Sequence, residues 1–168
     1  MNGLGLNDLK LVPPEKEWGT TFLHEKKRLL AVPQTVAVEH IGSTCIPGIK
    51  AKPVVDIAMA VASAPDDERL KQALLGLGYE ARGEYGLPGR QFFTWGQPPV
   101  IHLHVVAANA PHWRDWLDFR DYLLAHPVHA RAYEQEKIRL AEKYAGDRAA
   151  YTKSKGEFIL HTLALARG

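Results

Sequence analysis

A chain of 168 residues with 46% apolar and 24% charged side chains fits one domain with its own core, which excludes a disordered or fibrous polypeptide. The formal net charge of +2 is too mild for a duplex nucleic-acid surface, yet it suits a small anionic ligand. Cys45 is the only cysteine, so no internal disulfide or cysteine-built zinc site is available, and neither a basic leader nor a run of about 18 apolar residues occurs. The expectation is a cytoplasmic chain that makes no membrane contact.

In chain order, residues 1–13 carry Gly3, Gly5 and then Pro13-Pro14, and read as an irregular lead-in. Glu15, Glu17, Trp18, Phe22 and Leu29 then mark an amphipathic helix that should stop before Pro33. Val36, Val38 and His40 alternate with Ala37, Glu39 and Ile41, the two-residue period of a strand. After a turn, Val54–Val61 is β-branched-rich and apolar on both faces except at Asp56, as in a central strand. Ser63, Pro65 and the acids Asp66 and Asp67 signal the start of a helix whose face is Leu70, Leu74 and Leu77 and whose end is Gly78.

Gly83–Gly89 reads as a surface loop, and Gly96-Gln97-Pro98-Pro99 joins Arg90–Trp95 to Val100–Val106 as a hairpin. From Asn109 the pattern is helical: a segment with Trp113, Trp116, Leu117 and Leu124, a second from Pro127 to Gly146, and a third from Asp147 to Leu165. The expected fold is α/β (α+β), a single domain over residues 10–166. A mixed sheet of about four or five strands is flanked by helices at both ends of the chain, and the last third is helical.

The chemistry concentrates in His40-Ile41-Gly42-Ser43-Thr44-Cys45-Ile46-Pro47-Gly48 and in Lys52-Pro53-Val54-Val55-Asp56. Glycines admit close backbone approach, and amides with the Ser43 and Thr44 hydroxyls can donate to phosphate oxygens, with Lys52 adding a point charge. The plainer reading is that Gly42 and Gly48 only permit tight turns while the hydroxyls cap the next segment. Asp56 shifts the balance: a carboxylate in an apolar strand must be paired, hydrogen-bonded or metal-bound. Its structural alternative is an ion pair with Lys52 or a nearby arginine.

The run from Glu39 to Val61, EHIGSTCIPGIKAKPVVDIAMAV, resembles the signature of the GrpB family, whose fold is that of the nucleotidyltransferase superfamily. Ile101–Val106, Phe119–Leu123 with His126-Pro127, and Tyr151–Ile159 extend the resemblance to about residues 10–165. It implies phosphate held at Gly42-Ser43 and a divalent metal on Asp56. The superfamily's second carboxylate would fall two residues on, where this chain has Ala58; on the later strand His102 and His104 stand together. One aspartate with imidazoles is a poor Mg²⁺ site.

Two readings follow for these side chains. Asp56, His102 and His104, with His40 as a further candidate, would suit Zn²⁺, Mn²⁺ or Ni²⁺. Alternatively, the histidines simply hydrogen-bond Asp56, or His104 works with it in acid–base chemistry. Arg120 and Lys155, and more weakly Lys153 and Arg90, are further phosphate candidates, whereas Trp113 and Trp116 read as core. His112, His126, His129 and His161 belong to no constellation.

Three functions compete: a metal-dependent nucleotidyl- or phosphoryltransferase, a non-catalytic sensor of a nucleotide or phosphometabolite, and an accessory module. The last rests on the family's association with dephospho-coenzyme A kinase, and hence with coenzyme A metabolism.

Overall fold

The computed structural model describes residues 9–168. The expected lead-in glycines, Gly3 and Gly5, lie outside the described residues; Val12 and Ala51 exchange backbone hydrogen bonds of 2.8 and 3.1 Å. Helix α1, Lys16–Leu30, buries Trp18, Phe22, Glu25 and Leu29, a stripe at helical spacing, with Glu17 in its first turn and Lys27 and Arg28 in its last. Strand β1, Thr35–Ile41, follows, and a single 3₁₀ turn at Ser43–Cys45 leads on toward strand β2, Val55–Val61.

Helix α2, Glu68–Gly76, starts later than its proline suggests. Asp67 is the cap, its carboxylate accepting from Arg69 N at 2.9 Å and Leu70 N at 3.1 Å, while Ser63 Oγ turns to the Ala64 carbonyl. A carboxylate that reaches two exposed amides outcompetes a hydroxyl placed too far upstream. Gly78, at φ 89°, ends the helix as expected.

Strand β3 is only Glu80–Ala81, too short to leave a periodic signal, and it pairs with β4, Gln91–Trp95. Strand β5, Ile101–Ala107, completes the expected hairpin. Helices α3, Pro111–Ala125, and α4, Pro127–Lys143, follow the pattern, but the last segment is two helices, α5 (Arg148–Ser154) and α6 (Gly156–Arg167). The division falls at Lys155, just before Gly156, a residue that weakens helix continuity. Among the described residues no helix is long and apolar enough to cross a membrane.

The five-stranded sheet has the order β1-β2-β5-β4-β3, with β2 and β5 parallel and the other neighbours antiparallel. One face carries Val55, Ile57, Met59, Val61, Leu103 and Val105 into a core shared with Trp18, Leu29, Leu70 and Leu74. Because strand side chains alternate, Asp56 and Ala58 are left for the opposite face, together with their register partners His102 and His104. A second apolar cluster, Ile46, Ile49, Leu123, Ala130 and Tyr133, ties the post-β1 segment to α3 and α4. The core on one face thus fixes the β2–β5 register and, with it, the polar group on the other.

Candidate functional site

Strands β1 and β2 run antiparallel with Ile41 opposite Asp56, so the turn leaving β1 passes beside the acid. Gly42 holds φ at 72°, and a Cβ placed there would lie 2.9 Å from Asp56 Oδ2. Only glycine allows both that conformation and that approach. The turn's hydroxyls already have protein partners: Thr44 Oγ1 is 2.9 Å from His40 Nε2, and Ser43 shares a hydrogen bond with Tyr133. Each hydroxyl still has capacity for another bond. Cys45 Sγ donates to the Gly42 carbonyl at 2.9 Å, and burial pushes its thiol up to about 12, so it is no nucleophile near neutrality.

Asp56 Oδ1 lies 3.0 Å from His104 Nε2 and, more loosely, 3.5 Å from His102 Nδ1. On the far side of the His104 ring, Arg90 Nη1 is 3.1 Å from Nδ1. A guanidinium can only donate, so Nδ1 must accept and the ring proton sits on Nε2, where it is donated to Asp56. Burial, against the pull of Asp56, holds His104 below its ordinary range and favours this neutral form. Burial alone would raise the Asp56 carboxyl; hydrogen bonding from His102 and His104 outweighs it and keeps the acid well below the usual carboxylate range. The Asp56 side chain remains 31% exposed, so this anion opens to solvent and is not sealed in the sheet.

Arg90 also fastens the loop above. Its Nη2 donates to the Glu84 and Tyr85 carbonyls at 3.0 and 2.8 Å, and the guanidinium lies 4.9 Å over Phe92. Trp116, expected in the core, is only half-buried and stands 5.4 Å from the His104 ring, beside the Asp56–His104 pair. Trp113 is likewise only partly buried. Helix amphipathicity did not distinguish a core contact from a contact with a polar cluster.

Other sequence candidates separate. His40 pairs in register with Ile57, which faces the first core, and it stacks on Phe22 at 4.8 Å. Strand alternation therefore removes it from the face of Asp56, and burial pushes it down to about 4. Arg120 is engaged by Glu39 at 2.6 Å, Asp121 at 2.8 Å and the His40 carbonyl at 3.2 Å, which makes it a brace between α3 and β1. Lys153 is exposed.

Lys52 and Lys155 do converge: their Nζ atoms lie 4.8 and 4.6 Å from the centroid of the buried Tyr151 ring. Burial lowers Lys155, and the field of Asp56 opposes that shift, which marks its proximity to the acid. Beside them is Lys137, which sequence reading passed over. It is 2% exposed, its Nζ donates to the Lys50 carbonyl at 2.6 Å, and it lies 5.0 Å from the Tyr133 ring centroid. The available signal was its place in the Ala130, Tyr133, Lys137, Leu140 stripe of α4, where a lysine interrupts an otherwise buried face.

A superfamily-type metal pair does not fit these residues. Ala58 is fully buried and offers no oxygen, and both histidines direct nitrogen at one Asp56 oxygen as hydrogen-bond partners. Among the described residues, no three His, Cys, Asp or Glu side chains are placed to hold a metal ion.

A family model described as GrpB protein matches residues 8–164. The glutamate-rich protein GrpB of Alkalihalophilus pseudofirmus is 34% identical over 171 residues, covering 95% of this chain and 96% of that protein. A UPF0157 protein of Deinococcus radiodurans is 38% identical over 162 residues, covering 94% and 82%. The UPF0157 protein YqkA of Bacillus subtilis is 34% identical, but the match takes in 94% of this chain and 49% of that protein, so the chain spans about half that relative's length. The crystal structure of the conserved protein GrpB from Enterococcus faecalis superposes with a TM-score of 0.83 at 29% identity, covering 94% of this chain and 96% of that one. With the family model spanning nearly its whole length and a full-length relative above 30% identity, the chain belongs to the GrpB family.

Proposed function

We propose that the surface formed by the Gly42 turn and the exposed edge of Asp56 binds a nucleotide or a related phosphometabolite. The observation that carries this reading is the open, ionised Asp56, held against a glycine turn by His102 and His104, with Lys155 near enough to feel its field. Keeping an ionised carboxylate at a partly exposed position of a central strand is a ligand-site arrangement, because hydrophobic packing alone would favour an apolar residue at position 56. Gly42, Ser43 and Thr44 supply the turn, and Lys52 and Lys155 the positive charge. Asp56, held ionised, is suited to accept a hydrogen bond from a ligand hydroxyl.

Binding without turnover is favoured over transfer chemistry by two features. Ala58 removes an oxygen ligand, and both nitrogens of His104 are engaged, so His104 positions Asp56 and does not shuttle protons. A thermal-shift screen of nucleotides and coenzyme A precursors, with and without Mg²⁺, Mn²⁺ and Zn²⁺, tests the reading, because a ligand of the folded state raises the melting temperature. A hit weakened by Ser43→Ala and Asp56→Asn supports it, and silence across the panel overturns it. Metal-dependent turnover lost in Asp56→Asn would establish catalysis. The association with dephospho-coenzyme A kinase is tested by copurification with that enzyme and by its rate in the presence of this chain.

A further inference from the structure

The segment joining β3 to β4 belongs to the sheet face that carries Asp56. Cross-strand partners share a face, so Phe92 of β4 stands with its register partner His104, and Asp56 stands with its partner His102. The exposed Tyr85 ring stacks on Phe92 at 5.0 Å, and the Pro88 carbonyl is 3.3 Å from the His112 ring of α3. Two backbone bonds of 2.8 Å, Arg82 N to the Phe92 carbonyl and Phe92 N to the Gly83 carbonyl, close the base of the segment. Within it Tyr85 takes φ 48°, a left-handed conformation unfavourable for a residue with a Cβ and kept only where other contacts hold it.

Arg90 supplies that hold. Its Nη2 donates to the Glu84 and Tyr85 carbonyls at 3.0 and 2.8 Å, while its Nη1 reaches His104 Nδ1 at 3.1 Å. The guanidinium is a rigid planar fork, so one end keeps its place on His104 only while the other keeps its place on the segment. With Arg90 there, Nδ1 must accept, and the ring proton is donated from Nε2 to Asp56 Oδ1. Without it, a neutral imidazole is free to carry its proton on Nδ1. The bare Nε2 lone pair would then face the carboxylate, and Asp56 would lose one of the bonds that fix it.

We propose that residues 83–89 form a strap, pinned by Arg90, whose closure sets the tautomer of His104 and so fixes Asp56 as a hydrogen-bond acceptor. Arg90 is a positioning residue, acting on Asp56 through His104. The coupling is reciprocal: whatever keeps the His104 proton on Asp56 also keeps the strap closed. The strap regulates the site of the proposed function and rests on that reading for its purpose; its test needs no ligand, so the two fail separately.

Amide hydrogen exchange by residue and ¹⁵N shifts of His104, both on the full chain at pH 7, test it. Leu87 N and Arg90 N, bonded to the Glu84 and Leu87 carbonyls, report strap closure. His104→Phe takes away the acceptor of Arg90, and exchange at these amides should quicken about tenfold, as for loss of one charge-assisted hydrogen bond. Conversely, Glu84→Ala combined with Tyr85→Gly removes the Glu84 brace on Gly89 N and the ring on Phe92 while Arg90 and His104 stay in place. In that protein exchange should quicken and His104 should pass from Nε2–H to a mixture of both tautomers. Urea midpoints show whether each variant folds; if His104→Phe does not, Arg90→Met supplies both readouts, faster amides and a mixed His104 tautomer. Unchanged amides in His104→Phe overturn the strap, as does a loosened segment whose His104 proton stays wholly on Nε2.

Discussion

The unfavourable burial of Lys137 gives a quantitative prediction for Lys137→Met. An unperturbed lysine titrates at 10.5, and in the folded chain burial pushes Lys137 down to about 7. Folding therefore favours the neutral amine: the penalty is complete below pH 7, fades as pH rises from 7 toward 10.5, and is absent above. At about 1.4 kcal/mol per pH unit, its low-pH limit is about 5 kcal/mol. Methionine removes that penalty but leaves the Lys50 carbonyl without its donor, a loss of about 1–3 kcal/mol. Urea denaturation at pH 6 should thus find the variant more stable by about 2–4 kcal/mol. Near pH 10 the order should reverse by about 1 kcal/mol, because the neutral amine still donates to the carbonyl. The reading is refuted if the difference between the two proteins does not change with pH, or if the variant is the less stable one at pH 6. Comparing the pair cancels the titration of groups common to both.

Three further outcomes concern Gly42, His104 and His40. Gly42→Ala places a methyl group 2.9 Å from Asp56 Oδ2 at φ 72°, so a loss of about 2–4 kcal/mol is expected in urea melts; a neutral effect would mean that the turn does not approach the acid. In ¹⁵N spectra at pH 7, His104 should show its proton on Nε2, and Arg90→Met should shift its titration upward by removing a neighbouring positive charge; an Nδ1–H signal in the parent protein contradicts the assigned hydrogen bonds. His40, pushed down to about 4 by burial, is neutral in the folded state. It therefore contributes stability that is complete above pH 6.5 and lost as pH falls through 4, and His40→Phe should flatten that part of the acid unfolding curve.

What the sequence determined by itself was whatever depends on neighbours along the chain. Strand alternation placed Asp56 opposite the core, the glycine at 42 announced a turn, and apolar periodicity gave α1, both central strands, the hairpin and the helical last third. Resemblance to the GrpB family, carried mainly by residues 39–61, was likewise legible. Local signals failed where several choices are nearly equal, as at the α2 cap and the division before Gly156, or where an element was too short for a period, as at β3.

Tertiary structure decided which distant groups meet. The β1–β2 register turned His40 away from Asp56, although the two look adjacent in sequence logic. Arg90 proved to be a clamp on His104 and Arg120 a brace on β1, outcomes set by packing across 14 and 81 residues of chain. Lys137 joined Lys52 and Lys155 only because α4, α5 and the segment before β2 pack around the same tyrosines. Charge and desolvation depend on that three-dimensional neighbourhood: the stripe of α4 marked Lys137 alone, and no spacing in the chain links it to Lys52 and Lys155.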